Sequence, residues 1–213
     1  MGCDARGQAH TLEAVAAAIV LLSAILFALQ VTAVTPLSGS TSNQHIETQQ
    51  AELAQGVLAG EAENGSLKRM LVYYNTSADD GHRFHNATGG SGQYDGTIPT
   101  GENVPAVAPA LSETFLDRGT AVNVDLYYLE PDGRRRQPLI DLGTPSDHAT
   151  TATQQVTLFE NDTILASDGT PTDETVAEAA ANDSYYVGDG DDIDGDASSV
   201  FNVVEVEVTV WRM

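Results

Sequence analysis

Residues 14–34 read AVAAAIVLLSAILFALQVTAV, 21 positions without a charge. At the α-helical rise this run is about 31 Å long, the depth of a bilayer's hydrocarbon core, so it predicts a membrane-inserting helix. Its few polar members, Ser23, Gln30 and Thr32, are no obstacle, because a helix satisfies its own backbone in lipid. A buried core helix would rarely be so long and so uniformly apolar. On the C-terminal side residues 35–43, TPLSGSTSN, predict a break or loosening of the helix. On the N-terminal side Glu13 stands directly against the apolar run. A carboxylate there costs free energy on insertion unless something pairs with it.

A conventional signal peptide has a basic n-region, a short apolar stretch and a small-residue cleavage site, and Val31-Thr32-Ala33 would serve as such a site. Neither that use nor a plain anchor gives Glu13 a purpose. The stretch Arg6-Gly7-Gln8-Ala9-His10-Thr11-Leu12-Glu13, running straight into the apolar segment, resembles the class III signal peptide of archaeal type IV pilins. That resemblance implies cutting by a prepilin peptidase after Gly7, on the cytoplasmic side, with the apolar helix kept on a mature chain that starts at Gln8. It also implies a role for Glu13: in the pilin family the corresponding glutamate pairs with the N-terminal amine of a neighbouring subunit. Such pairing offsets desolvation of the carboxylate in a filament core. The pattern departs by one residue, since Glu13 is sixth counting from Gln8 where the family has its glutamate fifth. The cut therefore falls after Gln8, or the pairing geometry differs. Weaker likenesses to small haloarchaeal pilin-like proteins extend over QQAELAQGVLAGEAENGSLKRMLVYYN and the valine-rich C-terminal strand.

The chain has 213 residues, with 31 Asp and Glu against 9 Lys and Arg, and Lys68 is its one lysine. A net charge of −22 with no broad basic patch argues against nucleic acid as a partner, because phosphate contacts need clustered cations. With 41% hydrophobic residues in periodic runs the chain is predicted to fold rather than to remain disordered. The acidic excess and scarcity of lysine resemble the proteins of salt-loving archaea, where salt screens self-repulsion. The one cysteine, Cys3, excludes an intrachain disulfide.

An N-in, C-out span would put everything after Pro36 outside the cell, in agreement with Arg6 on the short inner side. Asn-x-Ser/Thr sequons at Asn64, Asn75, Asn86, Asn161 and Asn182 all fall in that part. Nine Asn and 34 Ser plus Thr predict only about 1.4 such triplets by chance, so the excess points to glycosylation.

Outside the span, Ile46, Leu53, Val57 and Leu58 at helical spacing predict an amphipathic helix over residues 45–63. Asn64-Gly65 ends it, and Ser66 is placed to cap a short helix or strand over 67–74. Residues 75–109, rich in Gly and Pro, predict a long loop with one or two short strands. A helical turn over 109–117 is closed by Gly119. Alternation over 121–129, the turn Glu130-Pro131-Asp132-Gly133 and a return over 134–142 predict a β-hairpin. A second hairpin is expected from 155–159 and 164–166 about the turn 160–163, then a short helix or lid over 172–182. In the terminal strand 200–212, Val204, Val206, Val208 and Val210 share one face, and such a strand belongs inside a sheet.

His82 and His85, with Asp79 and Asp80 upstream, have no third ligand placed for a metal. The run Asp189–Asp196 misses the EF-hand register, and a solvated acidic loop is the better reading. Arg134-Arg135-Arg136 would dock an acidic neighbour or pair with acids of its own sheet such as Glu205 or Glu207, the latter favoured. No G-x-S-x-G, P-loop or H-E-x-x-H motif occurs, so neither an enzyme, a cofactor nor a metal is expected.

The expected class is α+β: a long N-terminal hydrophobic helix followed by a small antiparallel β-sheet domain, type IV pilin-like. The expected organisation is a leader over 1–7, a transmembrane or filament-core helix over 8–35, a linker over 36–43 and an extracellular domain over 44–213. The expected function is a cell-surface subunit that assembles into, or assists, a pilus-like filament or secretion-type pseudopilus. Its partners would be prepilin peptidase, other pilin-like subunits and membrane lipid, with processing and assembly resting on Arg6, Gly7, Gln8 and Glu13. The alternative is a singly anchored extracellular binding module that does not polymerise. A third reading, secretion after a cut behind Ala33, would remove the span.

Overall fold

The computed structural model describes residues 4–77, 81–188 and 199–213. The chain divides into two compact units, Met1–Ile46 and Glu47–Met213. Helix α1 spans Asp4–Glu63. Its backbone is helical at 36–43, where a linker was expected. In a helix interior Pro36 costs about 3 kcal/mol, Gly39 about 1, and Ser, Thr and Asn each under about 0.7. The run therefore weakens the helix without forbidding it. The boundary between the two compact units falls after Ile46.

In the second unit, α1 buries Ala54 and Leu58 completely, while Leu53 is 45% exposed, one position off the face expected for it. Gly65, at φ 77°, turns the chain after α1 into α2 (Ser66–Val72). Ser66 does not cap α2. It is buried, and its Oγ accepts the Val107 N–H at 2.7 Å, fastening α2 to α3 (Val107–Thr114). The Asn64 side chain takes the capping part, its Oδ1 accepting the Ser66 N–H at 2.8 Å.

Three two-residue strands follow α2 before α3: β1 (Tyr74–Asn75), β2 (Arg83–Phe84) and β3 (Tyr94–Asp95). After α3 come β4 (Thr120–Glu130) and β5 (Gly133–Asp141), the hairpin expected from the sequence, with Glu130 opposite Gly133. Next are β6 (Thr150–Phe159), β7 (Thr163–Leu165), β8 (Pro171–Thr175), α4 (Val176–Ala181) and β9 (Val200–Arg212). The main sheet has the order β3-β5-β4-β9-β6, antiparallel except for β3 against β5.

β9 lies inside this sheet, as its valine alternation requires. Val122, Val124 and Leu126 pair with Val210, Val208 and Val206, and all six are 2% exposed or less. Leu58, Leu67, Met70, Val107, Ala108 and Leu111 pack over this face, leaving a void of about 10 Å³. That is at the lower limit for one water, so the layer is close-packed.

The second expected hairpin does not form. β6 pairs with β9 along its whole length, and β7 pairs instead with β8. The turn 160–163 leaves the main sheet because three bonds hold Asp162: its carboxylate meets Lys68 and accepts the Phe159 N–H, and its carbonyl accepts the Val176 N–H at 2.7 Å. The expected helix or lid over 172–182 is β8 followed by α4. A capping box starts α4, with the Thr175 hydroxyl accepting the Glu178 N–H and the Glu178 carboxylate accepting the Thr175 N–H. Those bonds hold the Glu178 carboxyl below the usual carboxylate range.

The opposite face of the sheet is polar. Arg134 pairs with Glu205 at 2.7 Å and lies over the Tyr127 ring, and Arg136 pairs with Asp125 at 2.8 Å. Arg135 points the other way, to Glu130 and Asp132. The arginine triplet is thus engaged by acids of its own sheet and hairpin, with Glu207 contacting Tyr127 rather than an arginine.

Candidate functional site

In the first unit, residues His10–Gln30 form a helical segment of mean hydropathy 2.5 whose residues are all exposed. Leu12, Val20 and Phe27 are each 68% exposed or more. The Ser23 hydroxyl donates to the Ile19 carbonyl at 2.8 Å, so the helix itself satisfies this polar group. Glu13 sits one turn into the segment with its side chain 82% exposed, and its neighbour is His10 Nδ1 at 3.8 Å on the preceding turn. Glu13, Ala16, Ala17, Val20, Leu21 and Ala24 line one strip along the helix. Spacings of three and four residues put them on one face, and the alanines let another backbone approach closely. Arg6, Gly7 and Gln8 lie in the first turns of α1.

In the second unit an open groove of about 770 Å³ is bordered by Tyr74, Asn75, Arg83, His85, Asn86 and Thr172, among others. Sequence reasoning did not find this groove, because β7 and β8 bring residues such as Leu165, 80 positions from His85, to the loop around β2. His85, considered as a metal ligand, lies with its Nε2 2.8 Å from the Leu165 carbonyl and its ring 4.7 Å from that of Tyr73. Beneath the groove Tyr74, Phe84, Tyr185 and Tyr186 pack edge-on or tilted, and burial pushes Tyr74 up to about 12. Asp79, Asp80 and the acidic run 189–196 lie outside the described residues. Among the described residues no three His, Cys, Asp or Glu come together as a metal site.

The five sequons do not share one environment. Asn64 follows α1, Asn75 ends β1, Asn86 follows β2, Asn161 lies in the pinned β6–β7 turn and Asn182 ends α4. Asn75 is half-buried and the other four are exposed.

Fold and helix together define a class: an α+β domain preceded by one apolar helix long enough to cross a membrane, compatible with an anchor. Residues 6–210 match the group described as "Family of unknown function (DUF7288)", and the chain belongs to that family. The match includes the apolar helix as well as the β domain. No curated protein and no solved structure matches the chain.

Proposed function

We propose that this protein is a membrane-held, pilin-like surface subunit whose apolar helix packs with helices of like subunits in a type IV pilus-like filament or pseudopilus. The carrying observation is Glu13, the one carboxylate on an exposed and predominantly apolar segment, at the head of an alanine-rich helix face. Lipid covers such a segment before assembly, and neighbouring helices cover it afterwards. In the second state the carboxylate gains what lipid withholds, a cationic partner in the amine of the adjacent subunit. Processing by a prepilin peptidase next to Gly7 and Gln8 supplies that amine on the cytoplasmic face. The β domain then stands outside the cell on the filament surface.

The test is Glu13→Ala in the native cell. The variant should reach the membrane at normal abundance and fail to co-purify with sheared surface filaments. Unchanged recovery in filaments contradicts assembly through Glu13. The groove favours a second reading, a singly anchored binding module, in which Glu13→Ala changes neither abundance nor surface contacts and no filament contains the protein.

A further inference from the structure

We infer that Asn86 is the sequon that accepts a glycan on the folded domain, and that Asn64 and Asn182 do not. The inference rests on the proposal that this domain faces the cell exterior. A sequon needs two groups within a transferase's reach: the amide nitrogen of the asparagine, and the hydroxyl two residues on.

Asn86 meets both needs. The Ala87 N–H donates to the Phe84 carbonyl at 3.0 Å, closing a turn with Asn86 at its third position and φ 64°. Asparagine tolerates that left-handed conformation, and the turn projects its side chain outward. Asn86 and Thr88 are both exposed, and among the described residues neither side chain makes a hydrogen bond. The chain then continues through Gly89 and Gly90, of which Gly90 is exposed with open space where a side chain would stand.

Three of the other four have a sequon side chain held in a hydrogen bond, and the fourth has its threonine half-buried in a strand. Asn64 accepts the Ser66 N–H and donates to Glu61 at 3.1 Å, while the Ser66 hydroxyl is buried against the Val107 N–H. The Ser184 hydroxyl, two places after Asn182, is buried and donates to the Ala179 carbonyl at 2.8 Å. Thr163, two places after Asn161, is half-buried in β7 opposite Thr175. Asn75 is half-buried, with its Oδ1 accepting the Ser77 N–H at 3.0 Å. Modifying Asn64 or Asn182 would require opening the α1–α2 or α4 turn, with loss of those buried bonds.

The reaction attaches the Asn86 Nδ2 to the anomeric carbon of a sugar carried on a lipid phosphate. The sugar–phosphate C–O bond breaks, the lipid phosphate leaves with the electron pair, and Nδ2 releases one proton to a base. A glycan so attached stands at the rim of the groove, since Asn86 borders it.

The experiment uses the full-length chain from native cells, with peptide mass spectrometry for the attachment site and gel mobility for its loss. External protease on intact cells reports which side the domain faces. The expected result is a glycopeptide containing Asn86, a mobility shift lost in Asn86→Gln and Thr88→Ala, and one retained in Thr88→Ser, Asn64→Gln and Asn182→Gln. Thr88→Ala and Thr88→Ser separate loss of the acceptor from misfolding. A glycan on Asn64 or Asn182, or a shift that survives Asn86→Gln, overturns the inference. An unmodified Asn86 on a domain cut by external protease overturns the inference alone. An unmodified chain that the protease cannot reach overturns the exterior placement as well.

Discussion

Tyr185 and Tyr186, adjacent in sequence with ring centroids 4.6 Å apart, donate their hydroxyls to one acceptor, the Leu71 carbonyl, at 2.9 and 3.1 Å. Leu71 lies in the last turn of α2, where a carbonyl has no intrahelical donor. The segment after α4 therefore finishes a helix more than a hundred residues earlier, and both hydroxyls leave water to do so. Either Tyr185→Phe or Tyr186→Phe leaves one donor in place and should cost about 0.5–1 kcal/mol. The double variant strands the buried carbonyl and should lose about 1 kcal/mol more than the sum of the two. Denaturant unfolding of the full chain in detergent measures this, and simple additivity would contradict the shared-acceptor account.

Alkali should unfold the β domain. All seven tyrosines are shifted upward, chiefly by burial: Tyr74 and Tyr128 to about 12, with Tyr73, Tyr94, Tyr127, Tyr185 and Tyr186 also above the ordinary value. An unfolded chain loses these protons near pH 10 while the native one keeps them, so the unfolded state binds fewer protons and stability falls as pH rises. The loss begins near pH 10 and continues to about 12, while below pH 10 these groups contribute no slope. Tyrosinate absorbance followed beside circular dichroism should rise late and together with unfolding. Seven tyrosines ionising near pH 10 on a folded chain would contradict the packing described.

The two faces of β4 should respond unequally to truncation. Leu126 is fully buried opposite Val206, whereas Leu129 on the polar face is 49% exposed. Leu126→Ala removes a buried side chain and opens a cavity, at a cost of about 2–5 kcal/mol. Leu129→Ala should change stability by about 0.5 kcal/mol or less. Comparable losses in the two variants would mean that the outer face is covered by something else.

The readable parts of the sequence were those with an uninterrupted period. The charge-free run at 14–34 forms a helix, and the β4–β5 hairpin and the valines of β9 each carry their partner in their own pattern. β6 did not, because residues 150–154 read TTATQ, with Ala152 alone buried, and the strand is defined by β9, some fifty residues later. β8, PTDET, has no apolar residue and exists because β7 pairs with it. The Thr175–Glu178 capping box was visible as T-x-x-E and would have placed α4 at once. The groove had no local signal, since its walls come together only through β7, β8 and the aromatic cluster. Glu13 was legible as the acid standing against the apolar run, and the structure has it exposed one turn into the helical segment.

The central claim is that the apolar helix stays on a chain processed just ahead of it. Peptide mass spectrometry of the mature N-terminus, on a membrane fraction from the native cell, tests it most directly. A start at Gln8 or Ala9 is the predicted result. An intact Met1 or a start at Gly2 contradicts prepilin processing in favour of an uncleaved anchor, and a start at Val34 removes the helix and contradicts both.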